Sequence, residues 1–218
     1  MIIKSKNLNT QVQLVDLLMF LGTHFVEADI YNVEKDLGQY DDDLDIFWSS
    51  GACMAIKSKD FKEIGGFDFD FFAHMEEIDL CWRLKNQGKR IMFCSKSLVY
   101  HVGGGTLNYN TPKKTFLNYR NNLWMIHKNF SGKSPLWLVI LIRIILDQIS
   151  GLRFIIEGNP KNILQINKAQ IGYFKNILKI HKKRTKIKKQ SLYKMKGVLN
   201  NLLIWEYFVK QKKYFNEI

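Results

Sequence analysis

Hydrophobic and polar positions alternate along this chain in patterns that lay out its elements from residue 48 onward. The run "GACMAIK" (51–57) is short and mostly apolar, the pattern of a buried strand. "SKDFKEIGG" follows as a short helix, with Ser58 near its start and Gly65-Gly66 ending it. "FDFDFFAHM" is an aromatic loop leading into a helix from about Glu76 to Asn86. Leu80 and Leu84, at i and i+4, give that helix its inner face, and Gly88 stops it. "RIMFC" and "SLVYH" read as strands, and "VGGG" as a turn. Then Thr111 is placed as an N-cap and Pro112 as the first helical residue. Phe116, Tyr119, Leu123, Ile126 and Phe130 mark one face of a long amphipathic helix.

The most apolar segment is "PLWLVILIRIILDQISGLRFIIEG". A spanning helix needs roughly 20 nearly unbroken apolar residues. Here Arg143, Asp147, Gln148 and Arg153 interrupt, and the longest run, Leu136 to Ile142, has seven residues. Two readings fit: a helix lying in a membrane interface, or a core helix. Beyond it come the basic run "IHKKRTKIKKQ" and a last amphipathic helix in "VLNNLLIWEYFVKQKKYF". The first 45 residues pattern weakly and end in the acidic "QYDDDLDIF", which reads as a solvated face.

Composition adds three constraints. With 218 residues, 46% hydrophobic and 13% aromatic, the chain folds and buries a core. Its net charge of +13 lies wholly in residues 153–218, where sixteen Lys and Arg face three Asp and Glu. Any anionic partner therefore belongs to the tail. The tail shows no nucleic-acid recognition motif, and its apolar neighbours suit lipid better than a phosphate backbone. Cys53, Cys81 and Cys94 match neither a zinc spacing nor an even disulfide framework, which points to a reducing compartment. The start, "MIIKSKNLNTQ", lacks the apolar stretch of a signal peptide.

One stretch stands out chemically. "FDFDFFAHMEEIDLCWR" (67–83) holds five carboxylates beside four phenylalanines. Partial burial and like charges raise a carboxylate pKa toward general-base work, while a helix N-terminus keeps the group ionised. An equal alternative is that Glu76 and Glu77 cap the helix and Asp79 pairs with Arg83 at i+4.

"GACMAIKSKDFKEIGGFDFDFFAHMEEIDLCWRLKNQGKRI", followed by "VYHVGGGTL", resembles the C-terminal half of the catalytic domain in bacterial family 2 glycosyltransferases. The resemblance implies an α/β fold: a partial GT-A, Rossmann-like domain over residues 28–130, then amphipathic C-terminal helices. The family's acidic pair, next-but-one Asp-Leu and later Arg fall on Glu76-Glu77, Asp79-Leu80 and Arg83. The resemblance makes Glu77 the catalytic base, with Glu76 and Asp79 beside it. Glu at 77 departs from the usual Asp by one methylene. "SSGA" matches the turn lining the sugar and acceptor cleft. Ser50, Gly51 and Ala52 of that turn, with His74 and Arg83, are expected around substrate; Trp48, Phe71, Phe72 and Trp82 offer flat apolar surfaces for sugar rings, with a place in the core as the stronger alternative for each one taken singly. His101, in "YHVGGG", matches a histidine that in some GT-A enzymes binds metal; a strand-end histidine bonded to backbone is the alternative.

The implied function is inverting transfer from a nucleotide-sugar donor to a cell-surface polysaccharide or lipid-linked acceptor. A divalent metal, manganese or magnesium, would serve the diphosphate. The family's nucleotide-binding half needs about 100 residues, several βα units of ~30, and its Asp-x-Asp ligands have no good match. Asp41-Asp42-Asp43 and Asp43-Leu44-Asp45 follow a loop rather than a strand. A truncated form is therefore expected, with residues 1–27 atypical and 131–218 a basic helical tail. That tail is expected on an anionic membrane surface, peripheral to the inner face of the cytoplasmic membrane. The competing reading is an inactive remnant or sugar-binding protein without donor binding.

Overall fold

The structure, a computed structural model, describes residues 2–5, 15–16, 41–51, 53–99, 111–156, 158–199 and 209–211. It is a mixed α/β arrangement. The strands are β1 (Ile2–Ser5), β2 (Val15–Asp16), β3 (Leu44–Asp45), β4 (Met92–Val99) and β5 (Val198–Leu199). The helices are α1 (Ser58–Glu63), α2 (Glu76–Asn86), α3 (Pro112–Asn129), α4 (Leu136–Ile156), α5 (Lys161–Lys175) and α6 (Ile177–Thr185). One sheet has the order β1-β4-β3, with β1 parallel and β3 antiparallel to β4; β2 and β5 form a separate parallel pair.

Where local signals are strong, sequence and structure agree. Gly65 and Gly66, at φ +80° and +64°, turn the chain out of α1. Thr111 caps α3 by accepting a hydrogen bond from the Lys114 backbone N–H at 3.3 Å. Tyr119, Leu123 and Ile126 on the expected stripe of α3 are fully buried. Helix α3 touches α2, α4, α5 and α6 and is the axis of the helical body.

Three expectations change. "RIMFC" and "SLVYH" are not two strands: Met92–Val99 runs as one. The expected break survives as a register slip, since Ile3 faces Cys94 while Lys4 faces Leu98. Asp43 holds the strand there, accepting from the Ser95 N–H at 2.9 Å and its hydroxyl at 3.0 Å. "GACMAIK" is not a strand among its described residues; Met54 makes one isolated bridge and 55–57 are irregular. An apolar run becomes a strand only where a neighbour accepts its hydrogen bonds, and the described sheet does not extend beside it. Of the expected last helix, Val198 and Leu199 are strand β5, and most of the remainder lies outside the described residues, as does the "VGGG" turn.

The C-terminal third is sewn onto the body. Lys85 donates to the Lys196 carbonyl at 2.8 Å, and the Gln190 N–H to Asn86 Oδ1 at 3.0 Å. Gly197, at φ +81°, lies so close to Ile46 and Phe47 that a Cβ would stand 2.4 Å from the Phe47 nitrogen. Only glycine permits that contact.

Helix α4 buries Val139 and Ile140 in the core but also turns polar residues inward. Arg143, Asp147 and Ser150 are buried, while Trp137, Leu141, Ile145, Ile149, Leu152 and Ile156 are exposed. Arg143 pairs with Asp147 at 2.5 Å, and the Tyr119 and Ser150 hydroxyls hydrogen-bond each other. Of the polar residues that interrupt the apolar run in sequence, Arg143 faces Tyr119 of α3, and Asp147 and Gln148 meet Gln170 of α5. Among the described residues, no helix is long and apolar enough to cross a membrane.

Candidate functional site

The five carboxylates of the 67–83 stretch separate into two groups. Asp68 binds Lys128 and Lys183, each at 2.6 Å. Asp70 binds Lys179 at 2.8 Å and Lys183 at 2.5 Å. Asp79, fully buried, binds Arg83 at 2.8 Å, Lys128 at 2.9 Å and the Asn129 amide at 2.8 Å. Burial alone would raise the Asp68 pKa; hydrogen bonds from Lys128 and Lys183 outweigh it and bring it down to about 2. Burial likewise pushes Asp70 up, and Lys179 and Lys183 leave it net lowered. These three are structural, each engaged by basic side chains of the fold. The other two, Glu76 and Glu77, open α2 and are half-buried.

The loop ahead of α2 is bent in a way its residues resist. Phe72, His74 and Met75 have φ of 66°, 68° and 70° without a glycine among them. Met75 stands at the N-cap of α2 with no side-chain cap. The loop is held from α3 instead. Asn121, fully buried, donates from Nδ2 to the carbonyls of Phe71 (2.9 Å), Ala73 (2.8 Å) and His74 (2.8 Å). Its Oδ1 accepts two hydrogen bonds from Arg120, at 3.0 and 2.8 Å. The Arg120 guanidinium lies 4.3 Å from the Trp124 ring and 5.2 Å from that of Phe116. Neither Asn121 nor Arg120 is singled out by the sequence reading. The signal was present: two polar residues at 121 and 122 interrupt the buried face of an otherwise amphipathic helix.

The residues named from sequence fall at different depths. Ser50 is half-buried, and Gly51 is exposed with open space where a side chain would project. Trp48 is buried, with Nε1 lacking a hydrogen-bond partner among the described residues. His74 is half-buried, and burial, with Lys114 nearby, lowers its pKa. Trp82 is wholly inside, edge-on to Phe47 at 5.6 Å, and offers no face to a sugar. Arg83 spends its guanidinium on Asp79, the Ile64 carbonyl (2.8 Å) and the Gly66 carbonyl (2.7 Å), tying α2 to the end of α1. Asp79, Trp82 and Arg83 therefore support α2 from within rather than face a ligand. Ala52 and His101 lie outside the described residues.

An open cleft of about 770 Å³ runs along α2, between Cys81 and Gly88 on one side and Met54 to Lys57 on the other. Glu77 lies one turn from Cys81, close enough that its charge helps raise that thiol; burial is the larger cause, and together they push it to about 12. Lys57, Lys59, Lys89 and Arg90 line the cleft, of which Lys89 is held by Asp60 at 2.6 Å and Arg90 by Asp45 at 2.9 Å.

The described residues do not fit a metal centre. Among them no three His, Cys, Asp or Glu side chains gather. Asp43 is committed to Ser95, and Asp45 to Arg90 and Lys196.

No family model matches the chain, and no solved structure matches it. Three curated relatives are similar over part of it. The rhamnosyltransferase WbbL of Escherichia coli is 37% identical over 51 residues, covering 23% of this chain and 19% of that protein. An N-acetylglucosaminyl-diphospho-decaprenol L-rhamnosyltransferase of Mycobacterium tuberculosis is 35% identical over 54 residues, covering 25% and 18%. A low-salt glycan biosynthesis hexosyltransferase of Haloferax volcanii is 26% identical over 82 residues, covering 37% and 27%. The chain thus spans 18 to 27% of these relatives' lengths, and part of it is related to glycosyltransferases.

Proposed function

We propose that this chain carries the acceptor side of an inverting glycosyl-transfer centre on a partial GT-A domain of the family 2 kind. Glu77 is the base. Its carboxylate takes the proton of an acceptor hydroxyl as that oxygen attacks the anomeric carbon of a nucleotide sugar. The bond from that carbon to the diphosphate oxygen breaks, and the nucleoside diphosphate leaves with the electron pair. The acceptor is a cell-surface or lipid-linked glycan. No step is assigned to a metal.

The observation that supports this reading is the division of the acidic stretch. Asp68, Asp70 and Asp79 are drawn into ion pairs inside the fold, and Glu76 and Glu77 stand half-buried in the first turn of α2, where the resemblance puts the family's acidic pair. The partial similarity to a rhamnosyl- and a hexosyltransferase supports the same reaction class. Ser50, Gly51, Trp48 and His74 then border the acceptor. The test is turnover of nucleotide-sugar donors with a divalent cation present. Glu77→Gln is expected to lower it on the order of 10²–10⁴-fold, and unchanged turnover overturns the assignment. Absence of any nucleotide binding favours the second reading, a sugar-binding protein or remnant without donor binding.

A membrane surface completes the proposal. The exposed stripe of α4 is accompanied by exposed Lys161, Lys168, Lys175 and Lys182. Residues 136–186 hold only two acids, Glu157 and Asp147, of which Asp147 is buried. Such a face suits the anionic inner leaflet of a cytoplasmic membrane, where each basic residue near the surface attracts by about 1 kcal/mol. Flotation with neutral against anionic liposomes tests it; equal behaviour with both removes the membrane from the reading.

A further inference from the structure

We propose that Asn121 is the positioning residue of this centre: it holds the left-handed loop 72–75 and thereby sets where Glu76 and Glu77 stand. This rests on the reading of Glu77 as the base. Non-glycine residues at such φ values are strained, and they persist only where the surroundings over-determine them. Here α3 supplies that constraint: the Asn121 amide faces three loop carbonyls, and Arg120 adds hydrogen bonds to the Asp70 and Phe71 carbonyls, each at 3.3 Å.

The residue type follows from the two sides it must satisfy. Toward Arg120 it must accept, and toward the loop it must donate. A primary amide does both, and the guanidinium fixes which way round it sits. Aspartate would turn an oxygen toward three carbonyl oxygens. Glutamine would add a methylene where there is no exposed space. Stacking on Trp124 and Phe116 restrains Arg120 in turn. A line of rigid contacts therefore runs from the buried face of α3 through the loop to the head of α2. Since α2 lacks a side-chain N-cap, its first turn takes its position from that line.

Hydrogen exchange on the full chain, with turnover alongside, tests the proposal. In Asn121→Ala, amides 72–78 are expected to exchange about tenfold faster or more, with α3 and α5 near wild type. The kcat is expected to fall about tenfold to a hundredfold with the donor KM within about twofold, the signature of a misplaced base rather than a lost binding contact. Phe72 is exposed and at φ +66°, so adding Phe72→Gly relieves strain without touching the core and is expected to recover part of both effects. Faster exchange across the whole molecule, or no change at 72–78, overturns the proposal. If Asn121→Ala does not fold, Asn121→Asp, which turns an oxygen toward the three carbonyls and leaves the Arg120 hydrogen bonds to Asp70 and Phe71 in place, is expected to give the same local pattern. A wild-type chain without turnover counts against the base at 77, and the exchange pattern still decides the role of Asn121.

Discussion

Asp68 and Asp147 are both carboxylates taken out of water beside a cation, and their pKa values move in opposite directions. Asp68 meets Lys128 and Lys183 and falls to about 2. Asp147 meets Arg143; burial raises it, Arg143 and Gln170 only partly compensate, and it rises to about 6. One cation does not offset the loss of water around an interior carboxylate, whereas two with good geometry do. The first site is a lock between the acidic loop and α6. The second is a polar seam that fits α4 to α3 with its apolar face outward.

The largest effect expected from this contrast is on removing the cation. Lys128→Met leaves Asp68 and Asp79 short of a shared partner and should cost roughly 3–5 kcal/mol at neutral pH in urea unfolding. Arg143→Met should cost roughly half as much, because Asp147 already sits near its titration range and can take up a proton instead. Equal losses would break the contrast.

A smaller effect lies in acid. A carboxylate raised to about 6 in the folded state gains stability as pH falls from 6 toward its unfolded value near 4. His127 acts the other way. Burial, then Arg184 and His181, lower it to about 4, so the unfolded chain takes up a proton first and stability is lost from about 6.5 downward. The two oppose each other across the same window. Asp147→Asn should therefore make stability fall more steeply between pH 6.5 and 4, and His127→Gln should make it fall less. Thermal unfolding across that range reads both. Asp68, lowered to about 2, adds its own loss only below pH 4.

The smallest effect on stability is expected on the outer side of α4. Ile145→Asn, at a half-exposed position, should change stability by no more than about 0.5 kcal/mol, yet weaken flotation with anionic liposomes severalfold. A loss of stability without a loss of flotation would mean that this face packs against protein.

Sequence is a good guide wherever one residue's neighbours in the chain decide its fate. Thr111 and Pro112 announce α3, and the spacing of Leu80 and Leu84 with Gly88 beyond delimits α2. It is a poor guide where the partner is distant. Nothing local to Lys183 or Arg184 reveals that they turn inward, to Asp68 and Asp70 and to the His127 and Phe130 carbonyls. Of the six basic residues between 182 and 189, Lys182, Lys186 and Lys188 are exposed and Lys183, Arg184 and Lys189 half-buried. The site shows the same limit. The acidic pair heading α2 is legible as a motif, while the fully buried places of Asp79 and Trp82 depend on contacts with α3 and Phe47.

The lock at Asp68 also has a history in time. Lys183 follows Asp68 by 115 residues, so at synthesis rates of about 5–20 residues per second the loop leaves the ribosome on the order of 5–25 seconds before its second lysine exists. Until α6 emerges, Asp68 has Lys128 alone and Asp70 has neither of its lysines. The acidic loop at Asp68 and Asp70 therefore reaches its final setting late in translation, when the last third of the chain closes over a segment made long before.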